Sequence, residues 1–320
     1  MPKYKLTTPV ALIFFNRLDI TEKIFAEIKK VKPIKLLLIA DGPRSNHKDD
    51  IDRCTATRNL FENIDWDCEV LKNYSDINMG CDKRVITGLN WVFDNVEDAI
   101  TLEDDALPSS EFFWFCQDLL EKYRDDKRIM SISGGNFQFG KKATSKYSYY
   151  YSRYCHMPGW ATWRRAWKCF DEQMKTWPEI RDTGQLANVF EKCRPVRYWT
   201  ALFDKIYPVV NSPWDYKWVY TWWVNNGLSI IPRTNLVSNI GYNREDATHT
   251  KKDSIFANVK INRLDFPLDH PPYMIRDTVA DDYIEKIMFS SSFFRQQYLR
   301  FRNLMSKIPF LSFVFKSSVR

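Results

Sequence analysis

No apolar run in this 320-residue sequence approaches the roughly 18 residues a membrane-spanning helix needs. Residues 9–15, the first apolar stretch, are too few for the hydrophobic part of a signal segment followed by a cleavage site. The expectation is a chain that is neither integral to a membrane nor secreted. Its seven cysteines include no Cys-x-x-Cys pair and no histidine at zinc spacing, which speaks against structural zinc and for reduced thiols in a cytosol. A G-x-x-x-x-G-K-[ST] phosphate loop is missing, as are internal repeats, low-complexity tracts and a Pro/Gly/Ser linker. One main domain with an appendage follows, large enough to bury a sizeable core.

Acids are missing from the end of the chain. Residues 286–320 hold seven basic side chains and no Asp or Glu, which leaves 40 basic and 40 acidic residues in the first 285. The net charge of +7 therefore belongs to the tail, and the neutral body offers no stripe for nucleic acid. Beside the apolar residues 308–315, such a tail suits peripheral contact with anionic lipid at the inner face of the plasma membrane. A helix packed on the body with its lysines solvated accounts for the same pattern.

What is abundant is aromatic: 16% of residues, with nine of 12 tryptophans between Trp160 and Trp223. Most such rings fill a core, but sugar C–H faces also stack on them, and Trp160 is the first expected to line an acceptor groove. The first 135 residues alternate apolar runs with helical stretches, the pattern of a parallel sheet covered by helices. Strands are expected at 10–15, 35–40, 68–72, 99–102 and 129–133, with helices at 20–30, 48–63, 83–95 and 110–123. Beyond Gly134-Gly135 the pattern turns irregular and aromatic; helical spacing returns at 183–193, 196–207 and 216–225, and 228–232 reads as a strand.

Ligands of open α/β sheets bind beyond the carboxyl ends of the strands. There, Ala99-Ile100-Thr101-Leu102 runs directly into Glu103-Asp104-Asp105. Adjacent acids repel unless a cation, a helix N-terminus or water neutralises them. Asp104 and Asp105 are thus candidates to bridge Mg²⁺ or Mn²⁺ to a pyrophosphate; capping of the helix that starts near Ser109-Ser110 is the alternative. Phe15-Asn16-Arg17 places a guanidinium after the first strand, and Asp41-Gly42 places a carboxylate on a turn after the second, able to accept from a base or ribose. Asn78-Met79-Gly80-Cys81-Asp82-Lys83-Arg84 leads a glycine turn into a helix start that can receive phosphate oxygens on its N–H groups. Lys83, Arg84 and Arg244 are candidates for the diphosphate, and each reads equally as a surface charge.

With these residues in place, the sequence resembles GT-A fold glycosyltransferases, and among them the inverting N-acetylglucosaminyltransferase I type and related bacterial enzymes. The resemblance rests on Phe15-Asn16-Arg17, Asp41-Gly42, residues 78–91 and Glu103-Asp104-Asp105 with Pro108 and Phe112-Phe113. It continues through Pro158-Gly159-Trp160 and Trp214-Asp215, covering about residues 8–240. It implies a Rossmann-like, mostly parallel sheet flanked by helices, with an aromatic-rich acceptor half and a helical C-terminal tail. Residues 1–275 would form the transferase domain, divided near residue 135 into a nucleotide-sugar half and an acceptor half, and 276–320 the tail.

The resemblance also implies roles. Asp105 looks like the direct metal ligand, Asp104 like a ribose or water-mediated metal contact, and Glu103 like a partner of the donor sugar. Arg17 and Asp41 correspond to the nucleoside-binding pair, with Asn78, Lys83, Arg84 and Trp160 as further donor-side residues. Displacement at an anomeric carbon needs a base for the incoming hydroxyl. Asp215 is the match, although the family has two consecutive acids where this chain has Asp215-Tyr216; Glu245 and Asp246 compete with it. His249 resembles the late histidine that many such enzymes turn toward metal or diphosphate. The implied activity is a Mn²⁺- or Mg²⁺-dependent transfer of a sugar from a nucleotide-diphosphate donor, UDP-linked, to a glycan or glycolipid in surface polysaccharide synthesis. Two alternatives stand: a sugar-nucleotide nucleotidyltransferase, which normally carries a glycine-rich loop after the first strand that this chain lacks, and a noncatalytic carbohydrate- or membrane-binding protein.

Overall fold

Runs such as VALIF and KLLLIA are apolar on both sides of the strand, so they are stable only in a sheet covered on both faces. In a computed structural model, which describes residues 5–140, 146–207, 209, 212–242, 244, 246 and 254–289, they occupy the middle of one. The chain runs β1 (Val10–Phe14), α1 (Leu18–Val31), β2 (Lys35–Ala40), α2 (Asp50–Asn59), β3 (Glu69–Tyr74), α3 (Cys81–Asn95), β4 (Asp98–Glu103), β5 (Ala106–Pro108), α4 (Ser110–Lys122) and β6 (Ile129–Ser133). It continues through β7 (Tyr149–Ser152), β8 (Trp160–Trp163), α5 (Arg164–Trp167), α6 (Trp177–Asp182), α7 (Cys193–Ile206), α8 (Trp214–Val224), β9 (Leu228–Pro232), β10 (Val237–Asn239) and α9 (Thr278–Met288).

The main sheet has eight strands in the order β3-β2-β1-β4-β8-β6-β9-β7. The first four are parallel, β8 runs antiparallel between β4 and β6, β9 is parallel to β6, and β7 is antiparallel at the edge. This is the mixed, mostly parallel, Rossmann-like sheet flanked by helices that the sequence suggested. Alternate side chains feed two cores. Leu36 and Leu38 join Ile24, Ile28, Phe112 and Phe115 under α1 and α4. Leu37 and Ile39 join Leu89 of α3 and a tryptophan cluster under α8.

The departures from expectation lie in the second half. Residues 149–152 and 160–163 are strands; every residue of both is buried, so no polar alternation marks them. The expected helix at 183–193 is a single 3₁₀ turn, Gln185–Asn188, entered through Gly184 at φ 70° and followed by extended Lys192 before α7 begins. A two-stranded antiparallel ribbon, β5 with β10, was not anticipated at all. The first turns of the basic tail form α9, which packs Ala280, Tyr283, Ile284 and Ile287 onto the body. Residues 290–320 lie outside the described residues. Among those described, no helix is long and apolar enough to cross a membrane.

Candidate functional site

The carboxyl ends of β1 and β4 are neighbours in the sheet, so Arg17 and the acid triplet meet. Arg17 Nε donates to Asp104 Oδ2 at 3.2 Å, and its Nη2 to Asp104 Oδ1 and, at 3.3 Å, to Asp105 Oδ2. The Phe15 N–H adds a bond to Asp104 Oδ2. Such a two-pronged guanidinium–carboxylate pair is both oriented and strong. Burial, the largest single effect, lowers the Arg17 guanidinium, but the charges and bonds of Asp104 and Asp105 together outweigh it and raise the group above its ordinary value. Asp104, 4% exposed, thus has both oxygens bonded to protein donors. The triplet does not cap α4: β5 intervenes, and Ser109, the residue before the helix, makes no side-chain cap bond.

Asp105 is held differently. It receives 3.3 Å bonds from Arg17 and from Asn239 Nδ2 of β10, both long for a charged pair. Its carbonyl accepts from the Ile240 N–H at 2.8 Å, extending the ribbon past the acid. Gly241 lies so near that a Cβ there would come within 2.4 Å of Asp105 Oδ2, so only glycine lets the backbone close on this carboxylate. Burial, then the Asp104 charge, raises the Asp105 carboxyl above its usual range. The side chain of Glu103, at the end of β4, has no hydrogen bond or ion pair among the described residues, and burial with the charges of Asp105 and Asp104 pushes it up to about 8. The charge of Asp215, in the first turn of α8, adds to the rise of Glu103.

The turn after β2 is organised for its own stability. Asp41, 5% exposed, accepts on Oδ1 from the N–H groups of Gly42 and Met79 and on Oδ2 from Gly80 N–H and Asn78 Nδ2. Burial raises its carboxyl in spite of these bonds. The N–H groups of Met79 and Gly80, expected to receive phosphate, are therefore bound to Asp41, and Asn78 Nδ2 is shared between Asp41 and the Gly42 carbonyl. Arg84 is also buried, at 4% exposure, and binds the Asn73 carbonyl and side chain, so it does not reach a diphosphate. Lys83 is exposed at the start of α3.

Trp160 is corrected too. Paired with Thr101 and Ser133, it is 1% exposed and packs its ring against Trp214 and Trp218, in the core rather than in a groove. Asp246 is ion-paired: Arg244 holds it through Nε at 2.8 Å and Nη2 at 3.0 Å, and Arg53 Nη2 stands at 3.4 Å. Arg244, first among these, lowers the Asp246 carboxyl, which makes it a poor base. Glu245 and His249 lie outside the described residues.

Asn239, Gly241 and Arg53 were missed. The asparagine and glycine have no signal of their own, because their meaning depends on an edge contact 134 residues distant in the chain. Arg53 was legible only as a charge on a helix. Among the described residues, no three His, Cys, Asp or Glu side chains form a group fit to hold a metal ion. The donor set does fit a hard cation in part: two half-buried carboxylates, Glu103 and Asp105, one whose side chain has no partner among the described residues and one held by long bonds. Two other cavities lie away from the acids: a groove of 1530 Å³ beside the starts of β1 and β4, and a cavity of 460 Å³ beside Arg153 and the start of β9.

No protein-family model matches this sequence, and no curated protein matches it. Solved structures with a similar chain course include 4-diphosphocytidyl-2C-methyl-D-erythritol synthase from Anaerococcus prevotii, at 11% identity and TM-score 0.36, over 71% of this chain and 88% of that one. A mannosyltransferase from Pyrobaculum calidifontis, solved with GDP-Man and Mn²⁺, matches at 11% identity and TM-score 0.37, over 68% and 69%. Likenesses of this size carry no argument about chemistry, and the case for function rests on the side chains themselves.

Proposed function

We propose that this chain is a glycosyltransferase that moves a sugar from a nucleotide-diphosphate donor, UDP-linked, with inversion, onto a glycan or glycolipid of a surface polysaccharide. One observation carries the reading: Glu103 and Asp105 are half-buried, raised and poorly bonded at the carboxyl end of β4, with the charge of Asp215 acting on Glu103. Leaving acids in that state costs free energy, and a cation brought in with a diphosphate offsets it. Glu103 and Asp105 would hold that cation, Mn²⁺ or Mg²⁺, and when bound it supplies positive charge to a departing diphosphate.

The remaining work falls to the chain's own groups. Arg17 fixes Asp104 and steadies Asp105, so the loops after β1 and β4 keep their spacing. Asp215, on a separate helix, would take the proton of an acceptor hydroxyl on the face opposite the leaving group, as inversion requires. The first-strand loop passes from Phe15 to Leu18 without glycine, which favours transfer of a sugar over transfer of a nucleotidyl group. The basic residues after 289 would hold the enzyme at the inner membrane face.

Thermal shift with uridine and guanosine diphosphates, each with and without Mn²⁺, tests the reading. A ligand bound at 100 times its Kd stabilises the fold by about 2.7 kcal/mol. The expected result is a rise with one nucleotide plus metal in the wild type that Asp105→Ala abolishes. No response to any nucleotide, or a full response and full donor hydrolysis in Asp105→Ala, would sink it.

A further inference from the structure

Three arginines from three separate segments surround one carboxylate beside the acid triplet. Arg244 presents its Nε–Nη2 edge to both oxygens of Asp246 and its other edge to Asp19 of α1 at 2.7 Å. Arg53 of α2 reaches Asp246 Oδ2 at 3.4 Å and is anchored by a 3.2 Å bond from its Nε to the Asn16 carbonyl. Arg17, bound to Asp104 and Asp105, is close enough for its charge to act on Asp246. A planar guanidinium fork fits a carboxylate and a phosphoryl group alike. Asp246 is 27% exposed, its bond to Arg53 is long, and the segment carrying it starts at Gly241, directly over Asp105. A group entering from solvent beside the triplet can therefore replace it.

We infer that Arg53 and Arg244, with Arg17 behind them, form a receptor for the phosphoryl oxygens of a diphosphate, in which Asp246 stands as a tethered competitor. This rests on the proposed nucleotide-sugar reading and extends it: the donor's diphosphate enters by displacing Asp246, so its apparent affinity is reduced by the fraction of chains in which Asp246 holds the arginines. Neither Arg53 nor Asp246 then has a part in proton transfer. An ion cluster that merely pins Arg244 and Asp246 to α1 and α2 has the same bonds but the opposite response to substitution.

Isothermal titration with inorganic pyrophosphate, without divalent cation, separates the two. Asp246→Asn keeps the shape and removes the competing charge, and binding should tighten roughly three- to tenfold. Arg53→Gln should weaken it about tenfold, with Arg53→Lys recovering part of the loss. Both sites are partly exposed, and unchanged melting temperatures show that the variants are folded. Unchanged or weaker binding by Asp246→Asn overturns the inference in favour of a structural pin, as does absence of pyrophosphate binding in every variant. Uridine diphosphate and uridine in parallel test the parent reading. Pyrophosphate responses as expected, with no added affinity from the nucleoside, support the receptor and defeat the nucleotide-sugar reading. Tight diphosphate binding indifferent to all three substitutions does the reverse.

Discussion

His156 is 2% exposed, its ring centre stands 4.5 Å from that of Phe137, and its Nδ1 has no partner among the described residues. Burial alone lowers its pKa to about 3. An unfolded chain protonates this histidine near 6.5 while the folded chain resists until about 3, so the unfolded state binds more protons in between and stability falls as pH drops through that window. The contribution at pH 5 is about 2 kcal/mol. His156→Leu should flatten the acid limb of melting temperature against pH; an unchanged slope would assign acid sensitivity elsewhere. At this scale the sequence was readable for position, with Arg17 following β1 and the triplet at the end of β4, but not for the ion pair between them. It misled where a polar group has a choice of partners. Asp41 looked ready for a ribose, yet four local donors saturate it, and Arg84 turned inward to Asn73.

Helix α9 shows how an element of mixed character is fixed. Its cap, Asp277, accepts from the Ala280 N–H, and Asp281, 1% exposed, receives bonds from Ser152 and from the Arg153 Nε at 3.3 Å. Arg276 stands 3.6 Å from the same acid, and Arg153 also pairs with Glu191. Removing one member of a buried pair strands the other charge and costs about 3 to 5 kcal/mol. Arg153→Met should lose that much in urea unfolding, since Arg276 alone replaces it poorly; a wild-type midpoint would mean that the apolar face of α9 suffices. Elements were predictable where both faces of a strand are buried in one apolar run, as in β1 and β2. They were not where aromatic residues fill strand and helix alike, as in Tyr149-Tyr150-Tyr151, or where a three-residue strand has nothing but its partner to define it.

Across the whole molecule, the tryptophans that suggested a sugar groove serve the second core. Trp160, Trp167, Trp214 and Trp218 form one contiguous set of ring contacts between the sheet, α5 and α8. Trp218 is fully buried, and Trp218→Ala should cost about 3 to 5 kcal/mol through lost contact and a residual cavity, read from the denaturant midpoint. A cost below 1 kcal/mol would mean that this core collapses around the gap. The parallel order of β3, β2, β1 and β4 follows from alternating strands and helices, but the insertion of β8 against the grain depends on a loop that doubles back, which no local pattern encodes. The β5–β10 ribbon has a consequence in time. Asp105 gains Asn239 and Ile240 only once the chain has grown more than 130 residues past it, so the acid triplet emerges from synthesis early and remains without these partners until the second half is in place.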